Sequence, residues 1–451
     1  MIYVKAHRPA FAEHEKITLE DITVPDGSAT AHLYRPKLVT LVGENYNQES
    51  FRADVAAALT VAIVALPLSM AIAVASGVTP ERGLYAAIVG GFIVSALGGS
   101  RFQIGGPAGA FIVLVSATAN RFGVEGLLLT VFLSGLFLTA VGFLRFGALI
   151  RYIPEAVTVG FTCGIALTIF ASQLKELGGI NSGDGKFDGF QSPLMMFSYV
   201  NPAALVIGIS TAAMIFALQR WRPRWPAMLM AVTAGTCVAT TLHLSVETIA
   251  SRFGDIPSHL PLPSWPNHPL SLVLDVLPSA LSFTLLGGIE SLLSAKIADG
   301  MTGRKHRYNM ELVAQGIANL ASALFGGISV TGTIARTATN VRAGARSPLS
   351  GIMHSLFLCV FLLFGAQLIG FIPLATLAGV LVVVSWNMIE KGLLVGLLRN
   401  WRSALILMIT FGLTVAINLT TGILAGCLAS IVLQWKKPGS ASDAAEIDAG
   451  Q

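Results

Sequence analysis

Between Asp54 and Trp435 the chain is a succession of fourteen apolar segments, and nothing else in it restricts the fold as strongly. The first seven are Asp54–Ser76, Leu84–Leu97, a helix from Phe111 to about Ala119, Gly126–Phe143, Ala156–Ser172, Ala203–Leu218 and Ala227–Leu242. The second seven are Leu272–Ala295, Met310–Leu324, a short helix from Thr333, Gly351–Ile369, Leu374–Ile389, Ala404–Ile417 and Gly422–Trp435. Crossing a bilayer takes ~20 apolar residues in helix. Several of these stretches are shorter than that. Only 12% of the 451 residues are charged, against 54% hydrophobic. An ordinary soluble domain carries about 25% charged residues. Too few polar groups are present to cover a soluble body of this length. Apolar and polar residues do not alternate along the segments, so a transmembrane barrel is excluded. The chain therefore reads as an all-α polytopic membrane protein, and the lipid bilayer is its first partner. Soluble enzymes, disordered proteins and nucleic-acid binders are excluded.

The polar parts divide it further. Residues 1–50 form a mixed-charge tail with no cleaved signal peptide. Residues 51–243 hold the first seven segments and 272–436 the second seven. The Pro/Ser/His-rich stretch 244–271 separates them as an extracytoplasmic loop, and 437–451 form a short tail. Cys163, Cys237, Cys359 and Cys427 lie apart from one another inside apolar segments. No CxxC or Cys/His cluster exists, so no zinc, iron–sulfur centre or other cofactor is expected, and each thiol reads as buried and inert.

The third element of each half is interrupted in the same way. In the first half an extended piece, Phe102-Gln103-Ile104, meets the run Gly105-Gly106-Pro107-Ala108-Gly109-Ala110 before a helix resumes at Phe111. In the second, Gly326-Gly327-Ile328-Ser329-Val330-Thr331-Gly332 breaks before the helix at Thr333. Short β pieces are expected before both half-helices. An odd number of segments per half places the halves in opposite orientations. Paired interruptions at corresponding positions mark a transporter site built from inverted repeats.

The loop charges test that topology. With the N-terminus inside and all fourteen segments crossing, inward loops and the first-helix approach carry twenty Lys and Arg residues, and outward loops five. That is a strong positive-inside bias. Both termini are therefore expected in the cytoplasm. The net charge of +5 reads as orientation against anionic inner-leaflet lipid.

Helix N-termini carry unpaired N–H groups and partial positive charge. In this topology the two half-helices enter from opposite sides, so their N-termini can meet near the midplane. That arrangement suits an anion. Gly105, Gly106 and Gly109 let backbone approach a ligand, although glycines also serve close helix packing. Arg336 is the basic residue placed within a segment, three residues into the second half-helix. A charge at that depth is costly and marks function. Glu290, mid-segment in Gly287-Gly288-Ile289-Glu290-Ser291, is the matching acid. It can hold a proton, bind a cation with Ser294, or pair with Arg336; a structural hydrogen bond is the plain alternative. Glu155, Asp275 and Glu311 read as acids near segment ends, close to water. His306 and His354 read as interfacial. Pro67 kinks the first helix and frees a carbonyl that could line the cavity.

Ala65-Leu66-Pro67-Leu68-Ser69-Met70-Ala71-Ile72-Ala73, Gly83-Leu84-Tyr85 and Ile104-Gly105-Gly106-Pro107-Ala108-Gly109-Ala110-Phe111 together resemble the SulP anion transporter family, the sulfate permeases and their relatives. Gly332-Thr333-Ile334-Ala335-Arg336-Thr337-Ala338-Thr339-Asn340 resembles the second half-helix of bacterial members. The likeness runs from about Asp54 to Trp435. It implies a seven-plus-seven inverted repeat shared with uracil permeases, in which a core domain moves against a gate domain. The substrate then lies between the third and tenth helices, lined by the first and eighth. Carried over, Ile72, Gly106, Ala108, Gly109, Ala110 and Phe111 flank the anion on one side. Gly332, Thr333, Ile334, Ala335 and Arg336 stand on the other. Glu290 falls at the family's coupling position, and Ser294 stands four residues on, at the second position that contributes to the cation site of sodium-coupled bicarbonate relatives. A glutamate and a serine there leave proton and sodium coupling both open. Family members usually carry a cytoplasmic STAS domain after the last helix, and the 437–451 tail is too short for one. Dimerisation or regulation through that domain is then not expected, while a homodimer by another route stays open.

The expectation is a secondary active carrier of small anions, namely sulfate, bicarbonate or C4-dicarboxylates. It would work by alternating access as a proton or sodium symporter or an exchanger, in a bacterial inner (plasma) membrane. A nucleobase permease of the same fold and a passive anion channel are the alternatives. No nucleophile–base pair or metal cluster appears in the segments, so an enzyme is not expected.

Overall fold

The computed structural model describes residues 34–41, 46–147, 154–180, 200–222, 225–265, 269–417 and 419–435. Most of the 1–50 tail, all of 437–451, and Arg151, Lys186, Arg224, Lys436 and Lys437 from the charge count lie outside the described residues.

Helix α1 spans Gln48–Ala75 and runs unbroken through Pro67. The proline removes one N–H and leaves the Ile63 carbonyl without its helical donor. Helix α2, residues 80–97, contains a π-turn at Ala86–Gly90. The helical stretch Ile112–Phe143 is split at Gly123, where φ is 70°. Residues 112–122 are α3 and 124–143 are α4. Glu155–Leu177, Pro202–Trp221 and Ala227–Thr241 are α5, α6 and α7. The second half repeats the series: α8 (Leu270–Thr302), α9 (Tyr308–Leu324), α10 (Ile334–Arg342), α11 (Leu349–Gly370), α12 (Leu374–Met388), α13 (Trp401–Ala416) and α14 (Leu419–Trp435). Six described helices, or seven if α12 and the bent piece after it form one span, are long and apolar enough to cross a membrane alone. The molecule is a helical, multi-pass membrane protein.

Local chemistry sets the helix starts. Proline occupies the N-cap of α5, α7, α8, α11 and α12, where its fixed φ and missing N–H cost nothing. Asn47, Asn201 and Asn400 cap α1, α6 and α13 with their side-chain oxygens.

The expected β pieces are present but shifted. The first is Gly105–Gly106, not Phe102–Ile104, and the second is Thr331–Gly332. They pair antiparallel, Gly105 opposite Gly332 and Gly106 opposite Thr331. The shift has a steric cause. A Cβ on Gly105 would meet Val94 of α2 at 2.8 Å, and one on Gly332 would meet the Gln103 amide at 1.5 Å. Side chains larger than hydrogen cannot stand at Gly105 or Gly332, where the ribbon is pressed against its neighbours.

Helices α1–α4 and α8–α11 pack into one group around this ribbon, and α5–α7 with α12–α14 into a second. Contacts of α1 with α7 and α12, and of the turn at Gly109–Phe111 with α5, join the groups. Two pieces lie between the expected segments: a short helix Ile249–Phe253 inside the 244–271 loop, and Lys391–Leu398, which bends 42° away from α12. The 244–254 stretch is fastened to both groups. Ile249 N–H donates to the Ile372 carbonyl, and Arg252 bridges Glu176 of α5 and Glu247.

The expectation of four buried thiols is corrected. Cys163 is buried, Cys359 and Cys427 are half-buried, and Cys237 is exposed. On an apolar helix of a membrane protein the outer face meets lipid, and a thiol is apolar enough to stand there.

Candidate functional site: the crossing of two half-helices

Antiparallel pairing of the two short strands decides the geometry. Each strand leads directly into a helix, so α3 and α10 leave the ribbon in opposite directions with their N-termini side by side. Neither start is capped by a side chain. Ala108 holds the N-cap position before the turn Gly109–Phe111 and has no oxygen to offer. Thr333 caps α10 by position, but its hydroxyl donates to the Ile104 carbonyl at 3.1 Å instead. Both ends keep unpaired N–H groups and their partial positive charge. Ala335 is exposed and Ile334 half-exposed, so the α10 start opens to the surroundings.

Arg336 supplies a full charge beneath this crossing. Its side chain is 1% exposed and turns inward, away from the side that Ala335 faces. Nη2 donates to Ser69 Oγ at 3.0 Å and to the Pro107 carbonyl at 3.3 Å. Nε and Nη1 have no protein partner. Gly106 makes room for the guanidinium: a Cβ there would stand 2.1 Å from Nη1. One side chain of α10 thereby clasps the start of α3 and the middle of α1.

Glu290 and Arg336 do not form an ion pair. Glu290 Oε2 is buried with no hydrogen-bond partner. Ser294, one turn further along α8, donates to Thr337 Oγ1 at 3.1 Å. No group of three or more His, Cys, Asp or Glu side chains able to hold a metal occurs among the described residues. Ile72, Ala108, Ala110 and Phe111 belong to one buried apolar cluster with Ile289. Phe111 packs edge-on against Phe283 of α8, ring centroids 5.4 Å apart. It forms part of the wall on that side of the crossing.

A cavity of about 510 Å³ opens beside the crossing, between α5, α8 and α12. Thr158 and Thr162 line it from α5, Ile289 and Leu293 from α8, and Met388 from α12. Met388 is also a neighbour of Gly109, so one side chain of the cavity wall abuts the start of α3.

Three assignments by position are corrected. Glu311 is fully buried and accepts the Ser100 N–H at 2.8 Å, because α9 packs its first turn against the loop after α2. His354 is fully buried within α11, with both ring nitrogens unpartnered. His306 is buried and bonds Asp299 at 2.6 Å. The ribbon is also held by polar side chains not singled out from the sequence. Asn319 accepts the Val330 N–H and donates to its carbonyl, both at 2.9 Å. Gln315 donates to the same carbonyl. Gln103 donates to Ser291 Oγ at 2.8 Å. Amides inside apolar segments were the available signal, since each must find a partner out of water.

A family model described as the sulfate permease family matches residues 51–410, which takes in both half-helices and the whole ribbon. The chain belongs to the sulfate permease family. Among its relatives within that family is YvdB of Bacillus subtilis, which carries a sulfate transporter's name. It is 39% identical over 407 residues, covering 88% of this chain and 76% of that one. The bicarbonate transporter BicA of Picosynechococcus is 30% identical over 401 residues, covering 85% and 70%. The solved transmembrane domain of a cyanobacterial BicA superposes with a TM-score of 0.75 at 29% identity, covering 86% of this chain and 98% of that one. The sulfate-permease fold thus spans both packing groups.

Proposed function

We propose that this sulfate-permease family member is a secondary active carrier of a small inorganic anion, sulfate or bicarbonate, bound where α3 and α10 meet. The observation that carries the reading is the Arg336 guanidinium. It is buried, has two nitrogens, Nε and Nη1, without protein partners, and lies under two uncapped helix starts. Burying a lone cation costs several kcal/mol. An anion at the crossing offsets that cost, and the convergent helix ends strengthen its attraction. The names of YvdB and BicA support the choice of sulfate and bicarbonate. A C4-dicarboxylate shares the charge but needs more room.

Movement follows from the two packing groups. The group carrying the crossing slides against the α5–α7 and α12–α14 group, in fourteen crossings with both ends inside, and the cavity closes on one side as a path opens on the other. Glu290 and Ser294 couple the cycle to a proton or a sodium ion. The test is a panel in proteoliposomes: radiolabelled sulfate, bicarbonate, fumarate and uracil, each with an imposed pH or sodium gradient. Saturable, gradient-driven sulfate or bicarbonate uptake is expected. Uracil uptake unaffected by anions, or anion currents far above a carrier's turnover, would overturn the reading.

A further inference from the structure

Four stretches far apart in sequence come together at one end of the α1–α4 and α8–α11 group: the approach to α1, the loop after α2, the α8–α9 loop and the α10–α11 loop. Lys37 N–H donates to the Gly98 carbonyl and Arg307 N–H to the Gly99 carbonyl, both at 3.0 Å. The Arg307 side chain donates to the Arg35 carbonyl, and Arg101 Nη2 to Thr40 Oγ1 at 3.2 Å. These bonds gather Arg35, Lys37, Arg101 and Arg307 into one cluster. Arg101 is buried, and Lys37 and Arg307 are half-buried. Burial holds the Lys37 ammonium below its usual value; Arg307 and Arg101 press it lower, Asp299 opposes them and Arg304 adds to them. Arg307 is held down by burial first, then by Arg35 and Arg101. A positive-inside bias accounts for cations in such loops. It does not account for cations drawn together and partly out of water.

A cavity of about 290 Å³ opens beside the cluster. Tyr46, Ser50, Phe102, Thr302, Arg304 and Arg346 stand on its wall, and no Asp or Glu is among the described residues that line it. The neighbouring acids are committed elsewhere. Asp54 accepts from the Tyr46 hydroxyl at 2.7 Å, the Arg346 N–H at 2.6 Å and the Ser347 hydroxyl. Asp299 holds His306. Arg346 Nη2 bonds the exposed Glu49 at 2.7 Å, and its Nη1 reaches Ser50 Oγ at 3.4 Å. The Thr302 hydroxyl donates to the Ala298 carbonyl at 2.8 Å and has no second proton to offer. The Arg304 guanidinium makes no hydrogen bond or ion pair with a described residue; only its backbone N–H does, to Thr302 Oγ1. The free donors of this wall are therefore guanidinium N–H groups and the Ser50 hydroxyl.

We infer that this cavity binds a phosphate group, held by Arg304 and Arg346. Guanidinium forks match the oxygens of a phosphate two at a time, and such charge-assisted bonds are the strong ones. The surrounding cations raise the positive potential at the mouth and draw the ligand in. The inference goes beyond the carrier reading and does not rest on it, because none of the residues named for the cavity stands at the crossing. In the topology proposed above all four stretches lie on the inward side. Phosphate reaches that side from two sources: a soluble phosphate compound, or the headgroup of an anionic inner-leaflet lipid. Either one joins the start of α1, the end of α8 and the turn after α10. Those three helices carry Ser69, Ser294 and Arg336, so an occupied cavity braces the frame on which the crossing is built.

The test uses the full chain in lipid nanodiscs at constant ionic strength, with inorganic phosphate as the soluble probe. A ligand that binds the folded state raises the melting temperature in a saturable way. In discs of neutral phosphatidylcholine that rise is expected for wild type. Arg304→Gln, which removes no protein contact of the side chain, is expected to shift its midpoint to about tenfold higher phosphate. Arg346→Gln is expected to do the same. A midpoint equal to wild type in both variants would mean that phosphate acts elsewhere, at the crossing included, and would overturn the inference. Discs containing phosphatidylglycerol separate the two sources. If a lipid headgroup is the occupant, they raise the melting temperature of wild type but not of Arg304→Gln, and added phosphate then gives no further rise. If a soluble compound is the occupant, the phosphate rise persists in them. Either pattern supports the site. No saturable rise in neutral discs, together with equal responses of wild type and Arg304→Gln to phosphatidylglycerol, would overturn it.

Discussion

Arg336 is costly to bury and useful only where its charge is used. Arg336→Lys keeps the charge but loses the planar guanidinium fork, of which Nη2 bonds both Ser69 and Pro107 while Nε and Nη1 have no protein partner. A rise in KM of about tenfold, some 1.4 kcal/mol, is expected for the transported anion. Initial-rate uptake against concentration measures it, and an unchanged KM would show that the fork is idle. Position along a segment told little about depth. Glu311, read as close to water, is fully buried, and Arg336 points inward while its neighbour Ala335 faces out. Sequence locates a charge in a segment, but only the packing around it tells which way a side chain turns. The hydrogen bond from Ser294 to Thr337 joins residues 43 apart, which no local pattern could reveal. Tyr46 shows the same limit at the described edge of the N-terminal tail. Burial and its bond to Asp54 push its phenol up to about 12.

The interrupted elements were the most legible part of the fold, because glycine and proline punctuate a chain physically as well as visually. Their exact strands were not legible, since pairing depends on which residues can lie between α2, α8 and α10. Asn319 is the main fastening of that ribbon. Asn319→Leu leaves the Val330 N–H without a partner and its carbonyl with Gln315 alone, and losing a buried hydrogen bond costs about 1–3 kcal/mol. A lower melting temperature in detergent is expected; no change would mean that Gln315 alone holds the ribbon. The 244–254 stretch makes a second prediction. Arg252→Ala leaves Glu176 and Glu247 without their shared cation, at a cost of about 1 kcal/mol for these partly solvated groups. A thermal melt indistinguishable from wild type would show the cluster to be a solvated surface feature. The helix Ile249–Phe253 escaped sequence reading because a polar, proline-rich stretch hides a five-residue turn.

Two packing groups meet at one cavity, and the proposed cycle moves one group against the other. The cavity beside the crossing closes in one half of the proposed cycle. Thr162→Trp fills it from α5 while leaving the crossing intact. Exchange is expected to slow by about tenfold or more, because the group cannot complete its travel, whereas equilibrium binding of the anion stays within about twofold. Unchanged exchange would mean that this cavity stays open throughout. The multi-pass helical character was readable from the apolar segments, while the grouping of α1–α4 with α8–α11 was not. Non-local helix pairing leaves no trace in composition. The central claim is that the anion sits over Arg336. It is tested most directly by measuring binding of sulfate and bicarbonate to purified Arg336→Ala beside wild type, with the melting temperature of each recorded. The account predicts that a folded Arg336→Ala loses binding of the anion that wild type holds. Wild-type affinity in that variant would contradict it.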